Sequence, residues 1–109
     1  MIKNITILGA GESGFGAAML ANQKGHNVFV SDSGNIREDI KSIFLENSIK
    51  FEEKNHSFGK IEFSDLVIKS PGISNSSEII SKIRSIDIPI ISEIEFKRIK
   101  SMFANRVEC

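Results

Sequence analysis

A chain of 109 residues, 40% apolar and 26% charged, is expected to form one domain that removes roughly two thirds of its unfolded surface from water. Fourteen basic and fourteen acidic residues cancel to a formal charge of zero without a block of either sign, which excludes the basic footprint of a nucleic-acid binder. No apolar run approaches a membrane span, Met1 leads into a strand-like segment and not a signal peptide, and the only cysteine, Cys109, leaves no internal disulfide framework, so a cytoplasmic setting is expected.

In chain order, Ile5-Thr6-Ile7-Leu8 is a short, almost continuous apolar run, the pattern of a strand covered on both faces. After Gly9-Ala10-Gly11-Glu12-Ser13-Gly14-Phe15-Gly16 the spacing predicts a helix from Gly14 to Lys24. Its positions Ala17, Ala18, Leu20 and Ala21 are mostly small, so the helix can lie close to a sheet. Val28-Phe29-Val30 repeats the strand pattern. Ile36, Ile40, Ile43 and Phe44 share one helical face, and Asn35 with Glu38 is spaced as a capping box ahead of them. Ile49-Lys50-Phe51 is a weaker, alternating strand, and the polar stretch from Glu52 to Ser64 predicts loop with at most one helical turn.

Leu66-Val67-Ile68 predicts the fourth strand. Pro71-Gly72 at the centre of Ser70–Ile73 predicts a type II turn after it, with Gly72 at positive φ. A second box, Asn75 with Glu78, precedes a helical face of Ile79, Ile80 and Ile83. Ile88-Pro89-Ile90-Ile91 is the fifth strand, with Pro89 at its start or on an edge. A third box, Ser92 with Glu95, precedes Phe96, Ile99 and Phe103 at helical spacing. Strands alternating with helices predict βαβ units and an α/β fold. The expected sheet is Rossmann-like, doubly wound, parallel and five-stranded, with right-handed crossovers restricting its order to 3-2-1-4-5.

The residues that carry chemistry sit where that topology puts ligands. A bare G-x-G-x-x-G is a weak motif, but Gly9, Gly11 and Gly14 follow a strand and open a helix. Asp32 ends the next strand about 20 residues past the loop. Gly9 permits the tight turn, Gly11 lets backbone approach a diphosphate, and Gly14 lets helix and strand pack closely. The unsatisfied N–H groups and positive dipole end of the helix opening at Gly14 then face the anion. A carboxylate at Asp32 suits a ribose hydroxyl or a base N–H, and it also suits plain turn chemistry. In the order 3-2-1-4-5 the loops carrying Gly11, Asp32 and Ser70 meet at the carboxyl edge of the sheet.

Other polar residues are read more plainly. His26 is expected to complement a helix dipole, and Glu93 and Glu95 to be first-turn acids. His56 lacks metal-ligand spacing, and Lys69 reads as a solvated strand end. Gly59-Lys60 lacks the earlier glycine of a P-loop. No catalytic residue and no metal site is expected in this chain.

Taken together, the glycine loop, Val30-Ser31-Asp32, Lys69-Ser70-Pro71-Gly72-Ile73 and Ile91-Ser92-Glu93-Ile94-Glu95-Phe96 resemble the amino-terminal domain of the Mur ligases of peptidoglycan synthesis. Within that family, Ser-Pro-Gly-Ile with Ser-Glu-Ile-Glu-Phe is similar to the D-glutamate-adding branch, in order from about Ile5 to Arg98. The resemblance implies that residues 1–92 hold the UDP part of UDP-N-acetylmuramoyl-L-alanine. Gly11, Glu12, Ser13 and Gly14 would meet the diphosphate and Asp32 and Ser33 the uracil, with Ser70, Pro71 and Gly72 closing the pocket. It implies that residues 93–109 lead towards a central ATP-binding domain, followed by a domain for D-glutamate. Both are expected to be missing here, and with them the ATP and Mg2+ of the full-length ligase. A nicotinamide-dinucleotide domain of an oxidoreductase or NAD sensor would share the glycine loop and Asp32, and a pure interaction module would leave them idle.

Overall fold

The computed structural model describes the backbone of residues 2–108 and the side chains of residues 2–101. Five strands, β1 (Asn4–Leu8), β2 (Asn27–Ser31), β3 (Lys50–Glu52), β4 (Leu66–Lys69) and β5 (Ile90–Ser92), pair in parallel in the order β3-β2-β1-β4-β5. The expected α/β, doubly wound sheet is therefore the observed one. Pro89 stands immediately before β5, where its missing N–H costs no ladder bond.

The alternation of side chains along each strand sorts the core into two layers. Ile5, Ile7, Val28, Val30, Leu66 and Ile68 point to one face. There they meet Ala17, Ala18 and Ala21 of α1 (Glu12–Gln23), Ile40 and Phe44 of α2 (Glu38–Glu46), and Phe96 of α5 (Glu93–Glu108). Leu8, Val67, Phe29 and Ile90 point to the other face, against Ile61 of α3 (Phe58–Ile61) and Ile79, Ile80 and Ile83 of α4 (Glu78–Ser85). The three alanines of α1 are fully buried, so the helix sits close against β1 and β2.

Helix starts depart from the expected ones. α1 begins at Glu12, with Gly11 as its N-cap. Arg37 caps α2 and Ser77 caps α4, so Asn35 and Asn75 form no capping boxes. Of the third box one bond is present among the described residues: the backbone N–H of Glu95 donates to Ser92 Oγ at 3.1 Å. The polar stretch yields the single turn α3. Phe103 lies outside the described side chains.

Candidate functional site

The chain leaves β1 through a bend that only glycine adopts without strain. Gly9 has φ 97°, and its N–H donates to the Ser31 carbonyl at the end of β2, 2.8 Å away. A Cβ on Gly14 would stand 1.8 Å from the Gly9 carbonyl oxygen, so the helix can start this close to the strand only with glycine there. A Cβ on Gly11 would meet nothing within 4 Å. The first glycine makes the turn, the third makes the packing, and the second opens on empty space. Gly11 brings no capping side chain, so the first N–H groups of α1 are left for solvent or an anion. The Glu12 side chain is 92% exposed.

Asp32 is more tightly held than a free turn residue. Oδ2 accepts from the Ala10 N–H at 2.7 Å and Oδ1 from the Gly34 N–H at 2.7 Å. One carboxylate thus ties the glycine loop to the β2 turn and closes an Asx turn of its own. Ser33 beside it is exposed.

After β4, the Ile73 N–H donates to the Ser70 carbonyl at 3.1 Å, closing a turn over Pro71 and Gly72. Gly72 does not take positive φ, so the turn is not type II. Ser70 Oγ donates to the Gly9 carbonyl at 3.3 Å, joining this turn to the glycine loop. Lys69 is no solvated strand end: its Nζ donates to the Ile73 carbonyl at 2.7 Å and fastens the far side of the turn.

All nine residues named from the sequence, Gly11, Glu12, Ser13, Gly14, Asp32, Ser33, Ser70, Pro71 and Gly72, line one cleft of about 540 Å3 with Gly9 and Ile73. That volume lies in the range of small-ligand sites. The structure therefore brings the three loops together, at the carboxyl edge beside β1 where strand order reverses.

Beside the cleft stands a polar cluster that the sequence did not announce. Ser31, fully buried, lies beside Glu52 in the register of β2 and β3, and its Oγ donates to Glu52 Oε2 at 2.8 Å. Ser31 Oγ also lies 2.7 Å from His56 Nδ1. Burial pushes the Glu52 carboxyl up, but bonds from the Ser57 N–H, the Ser57 hydroxyl and Ser31 outweigh it and hold it below its ordinary value. The signal was a polar residue closing each of two adjacent strands, legible only once their pairing was known. Arg37 lies 4.0 Å from Glu12 and 2.6 Å from Asp39. Among the described residues, no three His, Cys, Asp or Glu side chains converge to hold a metal ion.

Comparison with known proteins fits this geometry. The model of the MurD N-terminal domain family matches residues 4–79. The chain belongs to that family. It is 44% identical over 96 residues to the UDP-N-acetylmuramoylalanine–D-glutamate ligase of Christiangramia forsetii, covering 88% of this chain and 22% of that protein. It is 48% identical over 95 residues to the same ligase of Bacteroides thetaiotaomicron, covering 87% and 21%. Among solved structures, UDP-N-acetylmuramate–alanine ligase of Thermotoga maritima superposes with a TM-score of 0.78 at 20% identity, over 94% of this chain and 23% of that one, a likeness of fold. The chain thus spans only about a fifth of its relatives' length. Among its described residues, no helix is long and apolar enough to cross a membrane.

Proposed function

We propose that this domain binds the UDP moiety of UDP-N-acetylmuramoyl-L-alanine for an ATP-dependent, D-glutamate-adding ligase that works in the cytoplasm. The observation that carries the reading is the uncapped start of α1 at Gly11, facing a cleft that the other two loops complete. The diphosphate lies on the N–H groups of Gly11, Glu12, Ser13 and Gly14, where helix dipole and open donors favour an anion. Asp32 and Ser33 receive the uracil. Asp32 keeps a second lone pair on each oxygen beyond the bonds to Ala10 and Gly34. Ser70, Pro71 and Gly72 close the same cleft from the β4 side.

Residues 1–92 form the nucleotide-holding unit on this reading, and residues 93–109 lead towards the ATP-binding domain. ATP and Mg2+ do not fit the groups present. Gly59-Lys60 lies in the short α3 and is no P-loop, so acyl-phosphate and amide formation are assigned to the length of the relatives that this chain does not span. Its own part is to bind and orient.

Calorimetric titration with UDP, NADH and NADPH tests the proposal. Weak binding of UDP in preference to both dinucleotides is expected, because part of the substrate's surface would be met by another domain. NADH binding as tight as UDP would point to a dehydrogenase-like domain and contradict it.

A further inference from the structure

The cleft continues past the glycine loop. Beyond the Gly72–Ile73 turn it opens into a second cavity of about 550 Å3, which shares Ser33, Gly72 and Ile73 with the first. His56 lines it, with Glu78 and Lys82 of α4 also on its wall. Neither the glycine loop nor the β4 turn explains why a histidine is held there.

A count of hydrogens fixes what that histidine presents. Ser31 Oγ has one proton and three neighbours: Glu52 Oε2 at 2.8 Å, the Asn55 carbonyl at 3.2 Å and His56 Nδ1 at 2.7 Å. Glu52, held ionised by the bonds described above, is the strongest acceptor and takes the Ser31 proton. Ser31 Oγ is then free to accept, so His56 donates through Nδ1–H. In the neutral ring this leaves the bare lone pair on Nε2. Burial lowers the His56 pKa, against the charges of Asp32 and Glu52, and favours that neutral ring. Nε2 has no partner and is not an enclosed atom among the described residues, so it opens on the cavity that the ring lines.

A bare nitrogen flanked by two carboxylates repels phosphate oxygens and attracts a neutral donor. Within the UDP moiety that this domain is proposed to hold, the neutral donors, the imide N–H and the ribose hydroxyls, all lie on the nucleoside half. We propose that His56 reads the nucleoside: its Nε2 accepts a hydrogen bond from an N–H or O–H donor of the uridine while the diphosphate lies on the glycine loop. This rests on the UDP reading above, and it adds a residue from β3–α3 to a site otherwise built from three other loops.

The test uses UDP-N-acetylglucosamine, whose doubly esterified diphosphate lacks a terminal phosphate titrating near neutrality. His56→Asn keeps an amide N–H near the place of Nδ1, able to hold Ser31, but does not reach the place of Nε2. His56→Gln reaches that place with an amide. The Asn variant is expected to melt like the wild type and to bind the UDP-sugar about 3- to 10-fold more weakly, the effect of one neutral hydrogen bond. Gln should recover part of the loss, and inorganic pyrophosphate should bind all three proteins equally. Wild-type affinity for the UDP-sugar should fall as pH drops through the lowered His56 pKa, while the Asn variant stays flat. The groups facing the ring, Asp32, Glu52, Glu78 and Lys82, are the same in both. Long-range 1H–15N spectra should show Nδ1 protonated and Nε2 bare, with Nε2 shifting on nucleotide addition. Equal UDP-sugar affinity and pH profile in wild type and Asn variant, with glycine-loop amides still responding, would overturn the role of His56 alone. No response at those amides would overturn the UDP reading and this one with it.

Discussion

Asp32 shows how a single side chain changes meaning between sequence and structure. As a residue in Asp-Ser-Gly after a strand it reads as an exposed turn, tolerant of alanine. With Oδ2 on the Ala10 N–H and Oδ1 on the Gly34 N–H it holds the glycine loop in place. Asp32→Ala is accordingly expected to cost about 2 kcal/mol of stability, a Tm lower by roughly 10 °C, as well as weakening UDP binding. An unchanged melt would show that neither bond matters. The glycines divide more sharply. Gly14→Ala puts a methyl 1.8 Å from the Gly9 carbonyl and is expected to destabilise by about 3 kcal/mol, read in a denaturant melt. Gly11→Ala, in open space at φ −73°, should melt like the wild type yet lose UDP affinity, because its methyl would stand where the diphosphate lies. Nine of the eleven residues that line the cleft were named from motif and strand order. Ser31, Glu52 and His56 were not, because their association depends on β2–β3 register and on the path of a polar loop.

At the level of elements, strands were easier to read than helix starts. Continuous apolar runs such as Ile5–Leu8 announce buried parallel strands, since both faces need covering. Helix starts rest on caps that many residues can supply, and α2 and α4 begin without an asparagine cap. Helix α5 carries a further consequence. His26, expected to serve a helix dipole, instead bonds the Ile2 carbonyl through Nδ1 at 3.0 Å and meets Lys100 Nζ through Nε2 at 2.8 Å. Burial and the Lys100 charge lower its pKa, so the folded state favours the neutral ring. A depressed folded pKa means this contribution is present above the unfolded value of about 6.5 and is lost as pH falls through the folded value. Melts across that window should show the wild type losing more stability than His26→Gln as pH falls. Parallel curves would show that the contact does not hold α5. Glu93, foreseen as a first-turn acid, is also buried, and it pairs with Lys97 at 3.1 Å.

For the whole molecule, the two-layer core and the order 3-2-1-4-5 place every sequence-derived loop at one edge of the sheet, and membership of the MurD N-terminal domain family accords with that placement. No loop of the described chain has the form of an ATP-binding P-loop. The chain alone is therefore expected to release no phosphate from ATP above buffer, even with Mg2+ and D-glutamate, and sustained release from a clean preparation would contradict this. The central claim, that the three-loop cleft takes a uridine diphosphate, is tested most directly by titrating the 15N-labelled chain with UDP and following its amides. Saturable shifts are expected to concentrate at Gly11–Gly14, Asp32, Ser33, Ser70 and Gly72. Shifts that avoid the glycine loop, or no response at UDP concentrations where NADH perturbs the same amides, would contradict it.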